Sequence, residues 1–248
     1  MTRLGIIGGS GLEKLQLFKD VKEIHVKTPY GDPSSSFFVG HIADKEVYIL
    51  SRHDRNHEIP PSQVNNLANI SAFQQLGCEA IIASTACGSL REHIHPGELI
   101  IPDQFIDFTR HREITFHKEF KDGNVIHISM ADPFSDYVRK KIQEAAAQAD
   151  MFIHTTGTVV TIEGPRLSTR AESKMFRIWG ADIINMSIAV ECTLAEELNI
   201  PYAAIAMCTD YDSWRESEEG VTWDDIIKTF HANAEKVTHL LEKVIPLI

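Results

Sequence analysis

The stretch "TVVTIEGPRLSTRAESKMFRIWGADIINMS", residues 158–187, decides how this chain is read. Its first five residues are all β-branched and predict a buried strand, and "EGPRLSTRAES" then runs into a helix. "ADIINMS" (181–187) predicts a second strand, and "AVECTLAEEL" (189–198) a second helix. Apolar strands without alternation, interleaved with helices, are the pattern of a sheet covered on both faces.

Working outward, "YAAIAMCTD" (202–210) predicts another buried strand, and residues 222–245 an amphipathic helix. Upstream, "RLGIIGG" (3–9) is an apolar strand entering a glycine turn. "SSFFVGHI" (35–42) and "KEVYILSR" (45–52) form a hairpin. Residues 61–77 predict a helix with Pro61 at its start and Gly77 at its end. "CEAIIAS" (78–84) is a short strand ending in the polar cluster "TACGSL". Without repeats, low-complexity tracts or linkers, the expectation is a single α/β domain over residues 1–248, with a mixed central β-sheet covered by helices on both faces.

A chain of 248 residues, 43% hydrophobic and 24% charged, has the balance of a globular protein with a substantial core. The net charge of −11 argues against nucleic acid or an anionic membrane as the main partner. No apolar run spans a bilayer, and the opening "MTRLGIIGGSGL" is too short and Gly-rich for a signal peptide. Cys78, Cys87, Cys192 and Cys208 lie by apolar patterns without CxxC spacing, which points to reduced thiols in a cytoplasmic protein. The 12 histidines form no HExxH or paired Cys/His arrangement, so no metal is expected.

Ligands of such sheets gather at strand ends. The first end, "GIIGGSGL", places Ser10 among glycines whose amides suit an anion, although its spacing fails the dinucleotide fingerprint. "SRHDRNH" (51–57) offers Arg52 and His53 to a phosphate. Arg55 and His57 read equally well as a solvated basic loop. "STACGSL" (84–90) lets the backbone of Thr85 and Ala86 approach a ligand, as a structural turn also would. Glu163 precedes Gly164–Pro165 and has a structural pairing with Arg166 or Arg170 as its plain alternative. "NMS" (185–187) and "TDYD" (209–212) add an amide, a hydroxyl and two carboxylates. Together these ends suit an anion beside a sugar beside a heteroaromatic base. No GKS/T loop or GxSxG elbow suggests triphosphate hydrolysis or a covalent serine.

Six blocks, "GIIGGSGL", "TPYGDPS", "SRHDRNHEIPPSQVN", "STACGSLREHIHPGELIIPDQFID", residues 158–187 and "AIAMCTDYDSW", closely resemble the S-methyl-5'-thioadenosine phosphorylases of the trimeric purine nucleoside phosphorylase superfamily. The resemblance runs in register from residue 4 to about residue 245. It implies a nucleoside phosphorylase type of fold and a phosphorolysis in which inorganic phosphate attacks C1' and the purine leaves, with no metal or organic cofactor. By the matching motifs, phosphate is held by Ser10, Arg52, His53, Thr85, Ala86 and Ser187. Met186 packs on the ribose, while Ser168, Asp210 and Asp212 face the base. Asp210 is the acid for purine N7, and Asp212 orients it through Ser168. General acid help of this kind contributes roughly 10²–10⁴-fold, and burial of a carboxyl favours its protonated form. Relatives acting on 6-oxopurines generally carry Asn at the Asp210 position, so Asp210 implies a 6-aminopurine.

Three departures from the family pattern stand out. Ser187–Ile188–Ala189–Val190–Glu191 replaces a Thr-Thr-Val-Pro-Glu type of run but keeps a hydroxyl. Leu167 stands where animal relatives have a Phe over the base, a loss of about 0.5–1.5 kcal/mol of aromatic contact. The chain ends at Ile248, before the C-terminal helix of animal relatives. Trp223, Ile226 and Ile227 are then the local wall of the 5'-pocket, with His127 reaching in from an adjacent subunit, and a more open 5'-site is expected. Trp223 reads equally as helix-face packing. The resemblance implies a homotrimer, with a dimer of trimers as the larger form. Phosphorolysis of S-methyl-5'-thioinosine or another purine nucleoside is the alternative activity. A silent nucleoside-binding protein is the alternative from another class.

Overall fold

The computed structural model describes residues 1–8, 17–120, 123–216 and 223–248, the last segment with side chains from residue 233 onward. Strand β1 (Arg3–Gly8) places Leu4 and Ile6 on one face of the sheet and Ile7 on the other. It runs parallel to β4 (Lys45–Ser51) on one side and to β5 (Ala80–Ser89) on the other. The predicted hairpin is present: β3 (Phe37–Ile42) lies antiparallel to β4, and β2 (Lys19–Ile24) pairs beyond it.

Strand β5 joins the two halves of the sheet. Residues 80–83 pair with β1, and Gly88 and Ser89 pair antiparallel with β10 (Ile183–Asn185). Beyond β10 lie β9 (Thr158–Ile162) and β7 (Gln104–Phe108), mutually parallel. Along the opposite edge of β5 runs β11 (Tyr202–Tyr211), parallel from Tyr202 against Ile81 to Tyr211 against Ser89. Two short strands, β6 (Leu99–Ile100) and β8 (Ile153–His154), continue outward from β11.

Helices cover both faces, as expected. Helices α1 (Asn66–Gln75) and α4 (Ile188–Glu197) set Leu67, Ile70, Phe73, Val190 and Leu194 against Ile7, Ala83, Ala204 and Ala206. On the other face, α2 (Asp136–Gln148) and α5 (Trp223–Val244) bring Val138, Ile142, Val237 and Leu240 onto Leu4, Ile6, Ile205 and Met207. A third apolar group surrounds Phe176 of α3 (Arg170–Ile178), packed with Leu90, Val160 and Ile162. Helix α3 begins at a capping box: Thr169 Oγ1 accepts from Glu172 N–H at 3.1 Å, and Glu172 Oε2 accepts from Thr169 N–H at 2.8 Å. None of the described helices is long and apolar enough to cross a membrane.

Three expectations change. The helix predicted from Pro61 is a 3-10 turn over Pro61–Gln63 followed by an extended Val64; α1 starts only where Asn65 Oδ1 caps Ala68 N–H at 3.0 Å. Strand β5 does not end at Ser84 but carries on through the polar cluster to Ser89. Its backbone still has a partner there, because β11 runs beside it for that whole length. Finally, α2 and β7 occupy segments for which the sequence pattern raised no expectation.

Candidate active site

The end that carries Arg52 is built where β1 and β4 finish together. Arg52 N–H donates to Gly8 C=O at 2.9 Å, which fixes the backbone of the first residue after β4. The Arg52 side chain turns inward and is 3% exposed with its whole residue. Its Nη1 donates to Ser84 C=O at 2.8 Å. Its Nε and Nη2 form a fork on the Glu191 carboxylate, the Nη2–Oε2 bond measuring 3.0 Å. Glu191, in the first turn of α4, is fully buried and also accepts from Tyr202 Oη at 2.7 Å. Burial opposes the charge on Glu191, but the Arg52 charge and the Arg52 and Tyr202 donors outweigh it and hold the carboxyl below its usual range. Each terminal nitrogen of Arg52 has a second N–H for a ligand.

His53 follows directly. Its Nδ1 lies 2.9 Å from Ile59 C=O, so Nδ1 carries the hydrogen in that bond. Burial, and then the neighbouring Arg52 charge, push the imidazole down to about 4, which leaves it neutral at pH 7. Arg55 and His57 are placed differently. Arg55 pairs with Glu23 at 2.7 Å, donates to Ser36 Oγ at 2.5 Å and lies over the Phe38 ring, while the His57 ring lies 4.7 Å from that of His53. The structural alternative holds for Arg55.

Hydroxyls gather beside this pair. Thr85 Oγ1 lies 3.1 Å from Ser187 Oγ and from Ala86 C=O, and accepts from Asn185 Nδ2 at 3.3 Å. Asn185 Oδ1 in turn accepts from Thr161 Oγ1 at 2.7 Å. The middle of β5 and the ends of β9 and β10 are thus tied into one polar network of small side chains. Thr85, Ala86 and Ser187 come together as the motifs implied.

Further along β5 lies the carboxylate end. The β5–β11 register slips between Cys208, opposite Cys87, and Asp210, opposite Gly88, so Thr209 is the extra residue of a bulge. Bulges re-aim side chains. Here the bulge brings Asp210 over Gly88, where Thr209 Oγ1 donates to Asp210 Oδ2 at 2.6 Å. A methyl group at Gly88 would meet Asp210 Oδ1 at 3.1 Å, Ile184 Cγ2 at 3.1 Å and Asp212 Cβ at 3.3 Å. A side chain there would make a tight contact to which the carboxylate has to yield by a few tenths of an ångström. Gly88→Ala is therefore expected to push Asp210 aside and to lower kcat for base release about tenfold, read by steady-state assay.

Asp212, just beyond β11, is buried, and both its carboxylate oxygens accept from Ser168 Oγ, at 2.7 and 2.5 Å. Burial raises its pKa against the effect of that hydrogen bond. Ser168 and Asp212 are therefore paired with each other, and Asp210 has its own donor in Thr209.

Between the two ends sits Met186. A methyl at Gly164, whose φ is +65°, would collide with Met186 Sδ, so the glycine loop after β9 lies directly against this side chain. The carbonyl of Met186 accepts from Arg112 Nη1 at 2.5 Å. Arg112 Nη2 also donates to Glu163 C=O at 2.6 Å, and its Nε lies 3.3 Å from Glu163 Oε1. Glu163 further accepts from the N–H of Arg110 at 2.6 Å and of His111 at 3.2 Å. The structural alternative for Glu163 therefore holds with Arg112 as the partner, in place of Arg166 or Arg170. Arg166 pairs with Glu172 at 2.7 Å, and Arg170 Nε donates to Ser213 C=O at 3.3 Å. The reason is reach: residues 110–112 fold over the end of β9, whereas Arg166 and Arg170 belong to the start of α3.

Two further candidates lie at the surface. Leu167 is half exposed, and His127 is exposed with its ring against Phe120. Ser10 and the side chains of Trp223, Ile226 and Ile227 lie outside the described residues. Arg112, Glu191, Tyr202 and the Asn185–Thr161 link had no assigned role in the sequence. Glu191 was visible only as part of a family run, and Arg112 carried no signal. Among the described residues no group of three His, Cys, Asp or Glu side chains is gathered to hold a metal.

Comparison with known proteins fits this geometry. The sequence profile of the Phosphorylase superfamily matches residues 3–246. An S-methyl-5'-thioadenosine phosphorylase of Danio rerio is 47% identical over 249 residues, which cover 100% of this chain and 89% of the relative. One from Nitrosopumilus maritimus (strain SCM1) is 45% identical over 247 residues, covering 98% and 92%. The solved structure of the methylthioadenosine phosphorylase from Schistosoma mansoni in complex with adenine superposes with a TM-score of 0.93 at 38% identity, over 100% of this chain and 92% of that one. A mutant of the Schistosoma mansoni enzyme in complex with methylthioadenosine also gives a TM-score of 0.93, at 37% identity over 100% of this chain and 91% of that one. Matched over its whole length in sequence and in backbone, the chain belongs to the phosphorylase superfamily, among the S-methyl-5'-thioadenosine phosphorylases.

Proposed function

We propose that this chain catalyses phosphorolysis of S-methyl-5'-thioadenosine to adenine and 5-methylthioribose 1-phosphate, with inorganic phosphate as co-substrate and no cofactor. One observation carries the reading. Strand β5 presents Thr85 to the hydroxyl cluster and Gly88 to Asp210, three residues apart, about 10 Å at the usual strand rise. That span matches the length of a nucleoside held with C1' near the anion and the purine at the carboxylate.

In this mechanism the monohydrogen phosphate dianion is held by Ser10, the Arg52 N–H groups, His53, the Thr85–Ala86 backbone and Ser187. An anionic oxygen attacks C1' as the C1'–N9 bond breaks, and Asp210 gives a proton to N7. The sugar phosphate then gives up the proton it brought and the Asp210 carboxylate takes one up again, so over a full turnover the sugar phosphate leaves as a dianion, adenine as a neutral base, and the acid is restored. The negative phosphate also stabilises the oxocarbenium-like sugar beside it. Met186 covers the ribose, Ser168 and Asp212 line the base side, and Leu167 covers the purine face. His127, with Trp223 and Ile226, closes the 5'-group. Residues 1–248 act as one domain. The protomers assemble as a trimer in the cytoplasm, a reading supported by exposed Ile114, Phe120, Val125 and Ile126 near His127 and by four buried free cysteines.

The test is release of free base from methylthioadenosine and from methylthioinosine, each with and without phosphate. The expected result is adenine, released only with phosphate. Faster release of hypoxanthine would overturn the role given to Asp210, and turnover without phosphate would make the protein a hydrolase.

A further inference from the structure

An arginine at a phosphate site normally supplies positive charge as well as donors. Arg52 cannot supply both here. Its fork is closed on Glu191 inside the protein, and Glu191 is locked from its other side by Tyr202 Oη at 2.7 Å. Neither charge meets solvent, with Arg52 3% exposed and Glu191 0%. His53 donates Nδ1–H to Ile59 C=O and is neutral at pH 7. The other described arginine of this loop, Arg55, is paired with Glu23. The hydroxyls of Thr85 and Ser187 carry no charge.

We propose that Glu191 is a positioning residue that cancels the Arg52 charge, so that phosphate is bound by dipoles and N–H donors in a subsite whose described residues carry no net charge. The inference rests on the phosphorolysis reading above. Its chemical sense follows from where charge develops. In a water-poor site, a dianion left without a counter-charge keeps its full attraction for the cationic sugar of the transition state. An unpaired arginine would hold phosphate more tightly in the ground state and take part of that attraction away. Interactions that strengthen ground-state binding alone do not raise kcat. Glu191 thus trades affinity for phosphate against turnover.

The opposing signs make the test sharp. Phosphate binding to the nucleoside-free protein is followed by thermal melting, in wild type, Glu191→Gln and Glu191→Asp, titrating phosphate against chloride at constant ionic strength. A ligand that binds only the folded state raises Tm by an amount that grows with the logarithm of [L]/Kd. Glu191→Gln is expected to bind phosphate about tenfold more tightly and to show a lower kcat in the base-release assay. Glu191→Asp, which keeps the charge, is expected to stay near wild type in phosphate affinity. Loss of a merely structural contact would instead weaken phosphate binding in both variants. If Glu191→Gln folds only when phosphate is present, phosphate has replaced the missing counter-ion, which supports the inference. A Glu191→Gln protein that binds phosphate no more tightly than wild type, or that stays unfolded at saturating phosphate, overturns it. A wild-type protein with no response to phosphate would overturn the phosphorolysis reading instead.

Discussion

Asp210→Ala is expected to lower kcat for adenine release by about 10²–10⁴-fold, the range for loss of a positioned general acid. The site is built so that little else changes. Asp210 is only partly buried at the end of β11, and the bulge that aims it is a backbone feature of Thr209 and Cys208. Removing the carboxylate leaves that backbone in place, so Tm should move little while the rate collapses. Asp210→Asn separates two duties of the group. The amide keeps the shape and can donate to an O6 atom, but it cannot protonate N7. Turnover of methylthioadenosine should fall as in the Ala variant, with methylthioinosine gaining relative to it. Equal loss on both substrates would remove Asp210 as the group that selects a 6-aminopurine. The measurements are single-turnover rates on each nucleoside and a melting curve for each variant.

The second large effect falls on a residue outside any quoted motif. Arg112 has 3% of its side chain exposed and makes donor contacts to Met186 C=O and Glu163 C=O, beside its ion pair with Glu163. Arg112→Met keeps most of the volume and removes every donor. Two carbonyls and one carboxylate then lose a buried partner. The expected cost is about 3 kcal/mol, the scale for breaking a buried pair, which in a chain of this size corresponds to about 6–12 °C in Tm. The kinetic effect should be selective. Met186 is held at its carbonyl by this arginine, so KM for the nucleoside should rise more than KM for phosphate. A Tm within 1–2 °C of wild type, on the order of ~0.5 kcal/mol, would show that water satisfies these carbonyls and that the arginine does not fix the loop.

How much of this was legible in the residues varies by element. Strands β1, β9 and β11 announced themselves because both their faces are buried, leaving unbroken apolar runs. The second half of β5 did not, because "TACGS" has the composition of a turn. What makes it a strand is β11 lying alongside, a tertiary fact that no local pattern contains. The bulge at Thr209 was hidden for the same reason. Arg52, His53, Thr85 and Ser187 could be gathered by asking which polar residues follow apolar strands. Arg112 could not, since its partners are backbone carbonyls just past the ends of β9 and β10 and any polar loop residue could have stood there. Glu191 was in plain view, but a lone acidic residue in the first turn of a helix reads as a dipole partner until the buried arginine opposite is seen.

Strand β5 touches both ends of the site, Thr85 in the hydroxyl cluster and Gly88 beside Asp210, within one run of backbone paired along an entire edge. It therefore works as a gauge. The interval between the hydroxyl cluster and the carboxylate is held by the backbone pairing of β5 with β11, which thermal motion of side chains does not stretch. Substrates are sorted first by whether sugar and base together match that interval. Only afterwards do the surrounding loops judge what hangs from the 5'-carbon, so changes there can widen the choice of substituent without detuning the chemistry.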